Sequence, residues 1–450
     1  MNVDQFIAEL FAEAKKAGFT DYEAYYSGGS SFQCMVFEGE VSDYSVNSTA
    51  GLSFRGLLSG KMGYAYTEAL DSDAVRMLVH NARENAGIIE NEDKQFIFEG
   101  SPEYQKVDVF NPALEEVSAK DKIDMALSLE RKAKNADPRI ETVGYCLVQS
   151  GEGESVIRNS KGLNLSHRDN VLIAFVEPVA KKGDKMVDGT AYRITRDFSE
   201  INVDDIVAEA VNKAVSMLDA RSMPSGNYKV VFENDAAGDM MATFSGIFSA
   251  ESTQKDLSLL KGRVGQKIAS SAVTLIDDPL MPGGFASSPF DSEGVATYSK
   301  NVIDGGTLTT LLHNLKTAEK DGVKSTGNAS KSSFKSPVGI SPSNFYLKPG
   351  DKDIDQLLAS VGEGLFVTEV QGLHSGANPV SGDFSLSAKG YRISGGKKAE
   401  PVEQVTIAGN FYEMLNDIEQ VGNDLKFGLP GSSSIGSPSI LVKQLAVAGE

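Results

Sequence analysis

Cysteine and histidine are the scarcest chemically useful side chains in this sequence. Only Cys34 and Cys146 occur, too few for a disulfide framework or a four-cysteine zinc site, so a reducing, cytoplasmic setting is expected. The four histidines are His80, His167, His313 and His374; the closest pair lies about 60 positions apart, so no local zinc motif with neighbouring imidazoles can be drawn. Long apolar runs are missing as well. No stretch reaches the roughly 18 residues of a membrane span, and the opening Met-Asn-Val-Asp-Gln lacks the basic start and apolar core of a signal peptide.

Other absences remove whole reaction classes. The nearest approach to a phosphate-binding P-loop, residues 56–62, has the wrong glycine spacing and no hydroxyl after Lys61. Gly362-Glu363-Gly364 lacks the third glycine of a dinucleotide fingerprint and precedes a strand, which makes it a turn. No serine has glycine two positions away on both sides, so the nucleophile elbow of α/β-hydrolases is absent. Basic residues are outnumbered, 43 against 62 acids, and the net charge of -19 disfavours nucleic acid and anionic membrane as partners.

What remains is a chain of ordinary globular composition, 41% apolar and 23% charged, whose 450 residues exceed one hydrophobic core. Asn2 can cap a helix whose Phe6, Ile7, Leu10 and Ala14 share one face, with Gly18 as its stop. Tyr-, Val- and Thr-rich segments broken by glycines follow, reading as antiparallel strands over 22–66. Helices are expected at 72–86, 118–135 and 203–220, with strands at 140–149, 155–158, 163–167, 172–179 and 190–195. Pro224 and Gly226 mark a linker, giving an N-terminal region 1–222, divisible at 110/111, and a C-terminal region 223–450. In the second region a helical stretch over 235–260 leads into strands, with Asp304-Gly305-Gly306 as a hairpin turn.

Two segments are dense in small and polar residues, 283–294 and 381–385. Asp291, Glu293 and Asp383 there could bind peptide amides or a cation, although composition alone favours tight turns with local side-chain caps. His374 is the most suggestive histidine, because it sits in the loop Gly-Leu-His-Ser-Gly and loops carry function more often than cores do, although a structural role is the commoner outcome for such a residue.

These segments carry a resemblance. Gly-Phe-Ala-Ser-Ser-Pro-Phe-Asp-Ser-Glu-Gly-Val at 284–295, Lys-Ser-Thr-Gly at 324–327, Gly-Leu-Phe-Val-Thr-Glu-Val-Gln-Gly at 364–372, Ser-Gly-Asp-Phe-Ser at 381–385 and Val-Thr-Ile-Ala-Gly-Asn at 405–410 resemble the TldD/PmbA metalloprotease family, in its PmbA (TldE) branch. The likeness reaches the N-terminal half through residues 38–41 and 51–55. It implies an α+β protein, with an N-terminal α/β half of helices and antiparallel strands and a C-terminal half built on a large, mostly antiparallel, barrel-like sheet. In the family's catalytic subunits, His-Glu-x-x-x-His on the first helix of the C-terminal half and a later cysteine hold zinc. Here the corresponding helix, around Asp235 to Phe244, has no histidine, and no cysteine follows Cys146.

The resemblance therefore implies a subunit with no catalytic or metal residues and no cofactor of its own, acting on unfolded or extended peptides beside a zinc-bearing TldD-type subunit, as a heterodimer or larger assembly, or else with itself. Ser288, Asp291, Glu293, Gly294, His374, Gly382, Asp383 and Ser385 are the candidates for a surface facing the peptide channel or the partner. Two other readings stay open. One is a hydrolase whose dispersed metal site draws on His313 or His374 with Asp291, Glu293 or Asp383. The other is a non-enzymatic homodimeric binding or modulator protein, in keeping with the family's historical link to DNA gyrase.

Overall fold

A computed structural model describes residues 1–88, 94 and 96–450. The N-terminal half is organised by one antiparallel sheet. Its strands are β1 (Tyr22–Phe37), β2 (Glu40–Leu58), β3 (Lys61–Thr67), β4 (Ile140–Asn159), β5 (Asn164–Lys182), β6 (Lys185–Asp188) and β7 (Ala191–Thr195). They lie in the order β3-β2-β1-β4-β5-β6, with β7 also paired to β5. Pairing of β1 with β4 carries the sheet without interruption from the first hundred residues into the next.

Four of these strands run for 16 to 20 residues. The separate strands expected at 140–149 and 155–158 are one, as are those at 163–167 and 172–179. The polar residues Ser150 to Glu154, which suggest a break in sequence, are paired on both sides, to Gly28–Phe32 of β1 and Arg168–Leu172 of β5. Ladder hydrogen bonds on both edges outweigh the weak strand preference of glycine and glutamate.

Helices cover this sheet. On α1 (Val3–Lys16) the Asn2 side chain accepts from the Gln5 amide and the Gln5 side chain answers, while Phe6, Ile7, Leu10 and Ala14 are buried. They pack with α2 (Ser72–Ile88) over β2 and β3. After the short α3 (Pro112–Glu115), α4 (Ala119–Ala136) and α5 (Val203–Ser216) cover β1, β4 and β5 in a second core. That core continues into Val231, Phe366, Tyr391 and Leu441 of the C-terminal half, so the halves share buried apolar surface. Among the described residues no helix is long and apolar enough to cross a membrane.

The C-terminal half begins with β8 (Gly226–Phe232) and α6 (Asn234–Phe244). The continuous helix expected to residue 260 is broken. A 3₁₀ turn at Ser245–Phe248 and a helix of only Ala250–Gln254 replace its second half. Gly246 weakens the helix there, and the turn drives Ile247 and Phe248 into the core. Next come β9 (Leu275–Asp277), β10 (Lys300–Asp304), β11 (Thr307–Leu308), β12 (Ala329–Ser330), β13 (Gly339–Ile340), β14 (Asn344–Leu347), β15 (Gly364–Gln371), β16 (Asp383–Ser394), β17 (Lys397–Asn410), β18 (Ile418–Val421), β19 (Lys426–Phe427), β20 (Ser434–Ser437) and β21 (Ile440–Ala448). The expected hairpin at Asp304 to Gly306 joins β10 to β11.

The largest C-terminal sheet runs β17-β16-β15-β8-β21-β18, and a further pairing of β17 with β21 curls it towards closure. A second runs β11-β10-β9-β14-β20-β19, with α6 against β20 and β15. All pairings in these two sheets are antiparallel except β8 with β15 and β14 with β20. The protein is therefore α+β, with the barrel-like C-terminal half that the family resemblance implies.

Candidate functional site

α6 starts beside the shared core, and its first turn is acidic. Glu233 fixes the entry by donating its amide to the Val367 carbonyl at 2.8 Å. Asp235 at the helix start is favoured by the N-terminal dipole, and Asp239 follows one turn later on the same face. Both line a crevice of about 930 Å³ between α5, the β6–β7 connection and the outer side of β15, β16 and β19.

Charge in the crevice is nearly balanced. Lys426 reaches Asp235 Oδ2 at 2.7 Å and Lys213 reaches it at 3.4 Å. Lys389 lies 3.3 Å from both Asp188 and Glu369. Lys398 stands 3.6 Å above the Tyr391 ring, whose hydroxyl shares a 2.6 Å hydrogen bond with Ser216. Burial, with help from Asp235 and Glu369, raises the Asp239 carboxyl to about 6. Burial also raises Glu233, and Lys213 pulls it back. The walls offer carboxylates to peptide N–H groups, ammonium groups to peptide carbonyls, and the apolar surfaces of Phe175, Tyr192, Val370 and Leu429.

Zinc catalysis needs about three protein ligands chosen from imidazole, thiolate and carboxylate. No histidine or cysteine lines the crevice, and lysines hold Asp235 and Glu369. Among the described residues no group of three or more His, Cys, Asp and Glu side chains is arranged to hold an ion. Zinc does not fit this donor set.

The sequence candidates fall into two separate places. Ser288 and Asp291 line a small cavity of about 190 Å³ at the junction of the two halves. Ser288 Oγ donates to the Phe290 carbonyl at 2.7 Å. Asp291 is buried: Oδ1 accepts from the Glu293 and Val295 amides, and Oδ2 from that of Ala329. Burial and the Glu293 charge push its carboxyl up to about 7, against the pull of those three amides. Glu293 takes Arg55 Nη1 at 3.3 Å and the Leu315 amide at 2.8 Å. Gly294 has φ +81, and its carbonyl accepts from Tyr104 at 2.8 Å. A side chain there would strike Leu163, whose Cδ2 lies 2.5 Å from the position of a Cβ.

His374, Gly382, Asp383 and Ser385 gather around the β15–β16 connection. His374 is exposed on the one-turn helix Leu373–Gly376. Asp383 accepts from Asn410 at 2.8 Å, which lowers its carboxyl. Gly382 packs on Tyr412, and Ser385 lies in β16 opposite Ala408. No described contact joins this group to Asp291 or Glu293. His313 is buried in a polar network in which its carbonyl accepts from Thr326 and Ser325, members of the 324–327 motif.

Sequence reasoning missed the partners of these residues. Arg55 lies between two carboxylates, 2.8 Å from Glu23 and 3.3 Å from Glu293. Lys331 donates to Ser53 at 2.8 Å and sits 4.7 Å and 5.1 Å from the centroids of the Tyr25 and Tyr64 rings. Its burial, with the Arg55 charge second, lowers the amine to about 7. Arg196 donates to the Gly283 and Gly284 carbonyls. The 283–294 segment thus clamps the two halves together. In the crevice, the i, i+4 spacing of Asp235 and Asp239 and the position of Glu369 in the 364–372 motif were visible signals.

Fold and crevice together define a two-part α+β scaffold with a polar, peptide-sized cleft where its halves meet. Models of the PmbA/TldA metallopeptidase domain 1, central domain and C-terminal domain match residues 22–86, 112–218 and 225–449. The chain belongs to the PmbA/TldD metallopeptidase family. It is 29% identical over 419 residues to the metalloprotease PmbA of Escherichia coli O157:H7, covering 92% of this chain and 88% of that one. A crystal structure from Thermotoga maritima, described as a modulator of a DNA gyrase, superposes with a TM-score of 0.92 at 34% identity over 99% of this chain and 100% of that one. TldE from Thermococcus kodakarensis shares the fold, with a TM-score of 0.90 at 23% identity over 99% and 100% of the two chains.

Proposed function

We propose that this chain is the zinc-free, TldE-type subunit of a two-component cytoplasmic peptidase that degrades unfolded or extended peptides with a TldD-type zinc subunit. The observation that carries the reading is the crevice at α6, where lysine–carboxylate pairs stand in place of imidazole and thiolate. Such walls suit an extended main chain, whose N–H and C=O groups alternate, and bind it with little regard to side-chain identity. The loop bearing His374 and Asp383 is our candidate for a partner- or channel-facing surface, because its side chains remain exposed. Two buried free cysteines suit a reducing compartment.

The test is to assay an unfolded casein peptide with each subunit alone and with the two mixed, and to measure zinc per chain by mass spectrometry. The expected result is cleavage by the mixture, at least tenfold faster than by either subunit alone, and less than about 0.1 zinc per copy of this chain. Cleavage by this chain alone at the mixture's rate, or stoichiometric zinc in it, would overturn the proposal.

A further inference from the structure

The small cavity between the two halves is lined by hydrogen-bonding groups that the fold leaves unused. Tyr25 and Ser155, from β1 and β4, and residues from the segments 279–297, 327–331 and 341–343 form its wall, so a molecule filling it touches both halves. Among the described residues, nothing is hydrogen-bonded to the side-chain hydroxyls of Ser155, Ser330, Ser341, Ser343 and Ser432. A serine that serves only its own turn bonds to nearby backbone, as Ser288 does with the Phe290 carbonyl. Ser432 is exposed and the other four unpaired serines are half-buried, so solvent reaches them.

Lys331, also in the wall, supplies a charge without a counter-ion. Its ammonium has three protons to donate. The described acceptors are neutral, Ser53 at 2.8 Å and Tyr64 at 3.5 Å, and no described carboxylate lies within 4.0 Å. The acids nearby are committed elsewhere: Glu23 and Glu293 to Arg55, and Asp291 to the amides of Glu293, Val295 and Ala329. Desolvating an unpaired ammonium is costly, and burial with the Arg55 charge already holds this amine down to about 7. An anion in the cavity would relieve that cost.

We propose that this cavity is a binding site for one carboxylate group on a short chain, with the Lys331 ammonium as counter-ion and the unpaired serine hydroxyls as donors. Ile157, Phe290 and Pro342 in the same wall suit the carbon atoms of such a ligand. Size sets the length: about 190 Å³ holds roughly six water volumes, enough for a carboxylate and three or four further atoms. Charge sets the class. One ammonium and neutral hydroxyls balance a monoanion, whereas a phosphate dianion would leave surplus negative charge beside Asp291 in a poorly hydrated place. A free short-chain acid and the C-terminus of a peptide present the same group. Only Ser432 borders both this cavity and the α6 crevice, so the site does not depend on the proposed function.

The experiment is isothermal titration calorimetry of the full-length protein with sodium propionate at pH 7 and constant ionic strength. The expected result is one site per chain with Kd below about 1 mM, and binding of propionamide and of inorganic phosphate at least tenfold weaker. At pH 8 the binding heat should vary with the buffer, because the anion favours the protonated forms of both Lys331 and Asp291 and draws protons in. Lys331→Met should weaken propionate at least fivefold, while Lys335→Met, an exposed lysine paired with Glu68, should leave it unchanged. Should Lys331→Met fail to fold, Ser341→Ala/Ser343→Ala supplies the comparison, with the same fivefold loss expected. Displacement of propionate by tri-alanine but not by its C-terminal amide identifies a peptide terminus as the source; no displacement by either identifies a free acid. A Kd above about 1 mM, equal binding of propionamide or phosphate, or a smaller loss than fivefold in the folded variant would each overturn the proposal.

Discussion

Replacing Arg55 by methionine should loosen the junction between the two halves by several kcal/mol. The Arg55 side chain is 15% exposed, and its guanidinium lies between Glu23 and Glu293, whose side chains are 3% and 7% exposed. Methionine fills much of the same volume but leaves two carboxylates in a desolvated site. Breaking a buried pair in this way costs about 3–5 kcal/mol, a large share of the 5–15 kcal/mol that stabilises a typical domain. Changing all three residues, Glu23→Gln, Arg55→Met and Glu293→Gln, removes the stranded charge, so the triple variant should recover most of the loss. The pH dependence has a definite sign. Burial already raises the Glu23 carboxyl against the pull of Arg55; without Arg55 it rises further above its unfolded value, so the unfolded state releases its proton first and the deficit grows with pH. Arg55→Met should therefore be closer to wild type at pH 5 than at pH 8. With no tryptophan in the sequence, urea unfolding followed by far-ultraviolet circular dichroism is the appropriate measurement. A deficit below about 1 kcal/mol at pH 7.5, or one that is larger at pH 5, would refute the reasoning.

Two further predictions concern the same junction and the first helix layer. Asp291, raised to about 7, should contribute a loss of stability as pH rises from its unfolded value near 3.8, and Lys331, lowered to about 7, should contribute a gain as pH rises towards 10.5. Each slope is at most about 1.4 kcal/mol per pH unit, and unfolding midpoints of Asp291→Asn and Lys331→Met across pH 4–10 should each lack one limb. Gly63→Ala should destabilise by about 2–4 kcal/mol, because its Cβ would lie 1.8 Å from the Ala82 carbonyl oxygen of α2; a Tm shift under 2 °C would contradict this close packing.

Local signals in the sequence reached as far as the interactions they encode. The capping box at Asn2 and Gln5 and the apolar face of α1 are complete within one segment, and that helix is where the spacing puts it. The β10–β11 turn is local in the same way. β4 and β5 were misread as fragments because their polar middles are held by strands distant in sequence. The same limit governs the site. Asp291 and Glu293 stood out as acids in a glycine-rich loop, but the Arg55 that fixes Glu293 lies 238 positions away. Asp235 and Asp239 were legible as one helix face, whereas Lys213, Lys389, Lys398 and Lys426 arrive from three other elements and a sheet edge, and only the fold assembles them.

Under the proposed zinc-free reading, that assembly accounts for how the crevice would persist without a metal. Carboxylates gathered at one helix end repel each other and lose hydration, so a metallopeptidase that merely lost its imidazoles and thiolate would keep an acidic, strained pocket. Here Lys213 and Lys426 supply ammonium charge at Asp235, and Lys389 supplies it between Asp188 and Glu369. Among the described residues no lysine pairs with Asp239 or Glu233 within 4 Å, and burial raises both carboxyls, that of Asp239 to about 6. The lysines thus do electrostatically what a bound cation would do, but spread over several points along the cleft. A spread of paired charges suits holding a chain in place, whereas activating a water molecule needs positive charge concentrated at one position. On the same zinc-free reading, loss of hydrolytic capacity and retention of a polar cleft would both follow from ammonium groups standing where metal ligands would be needed.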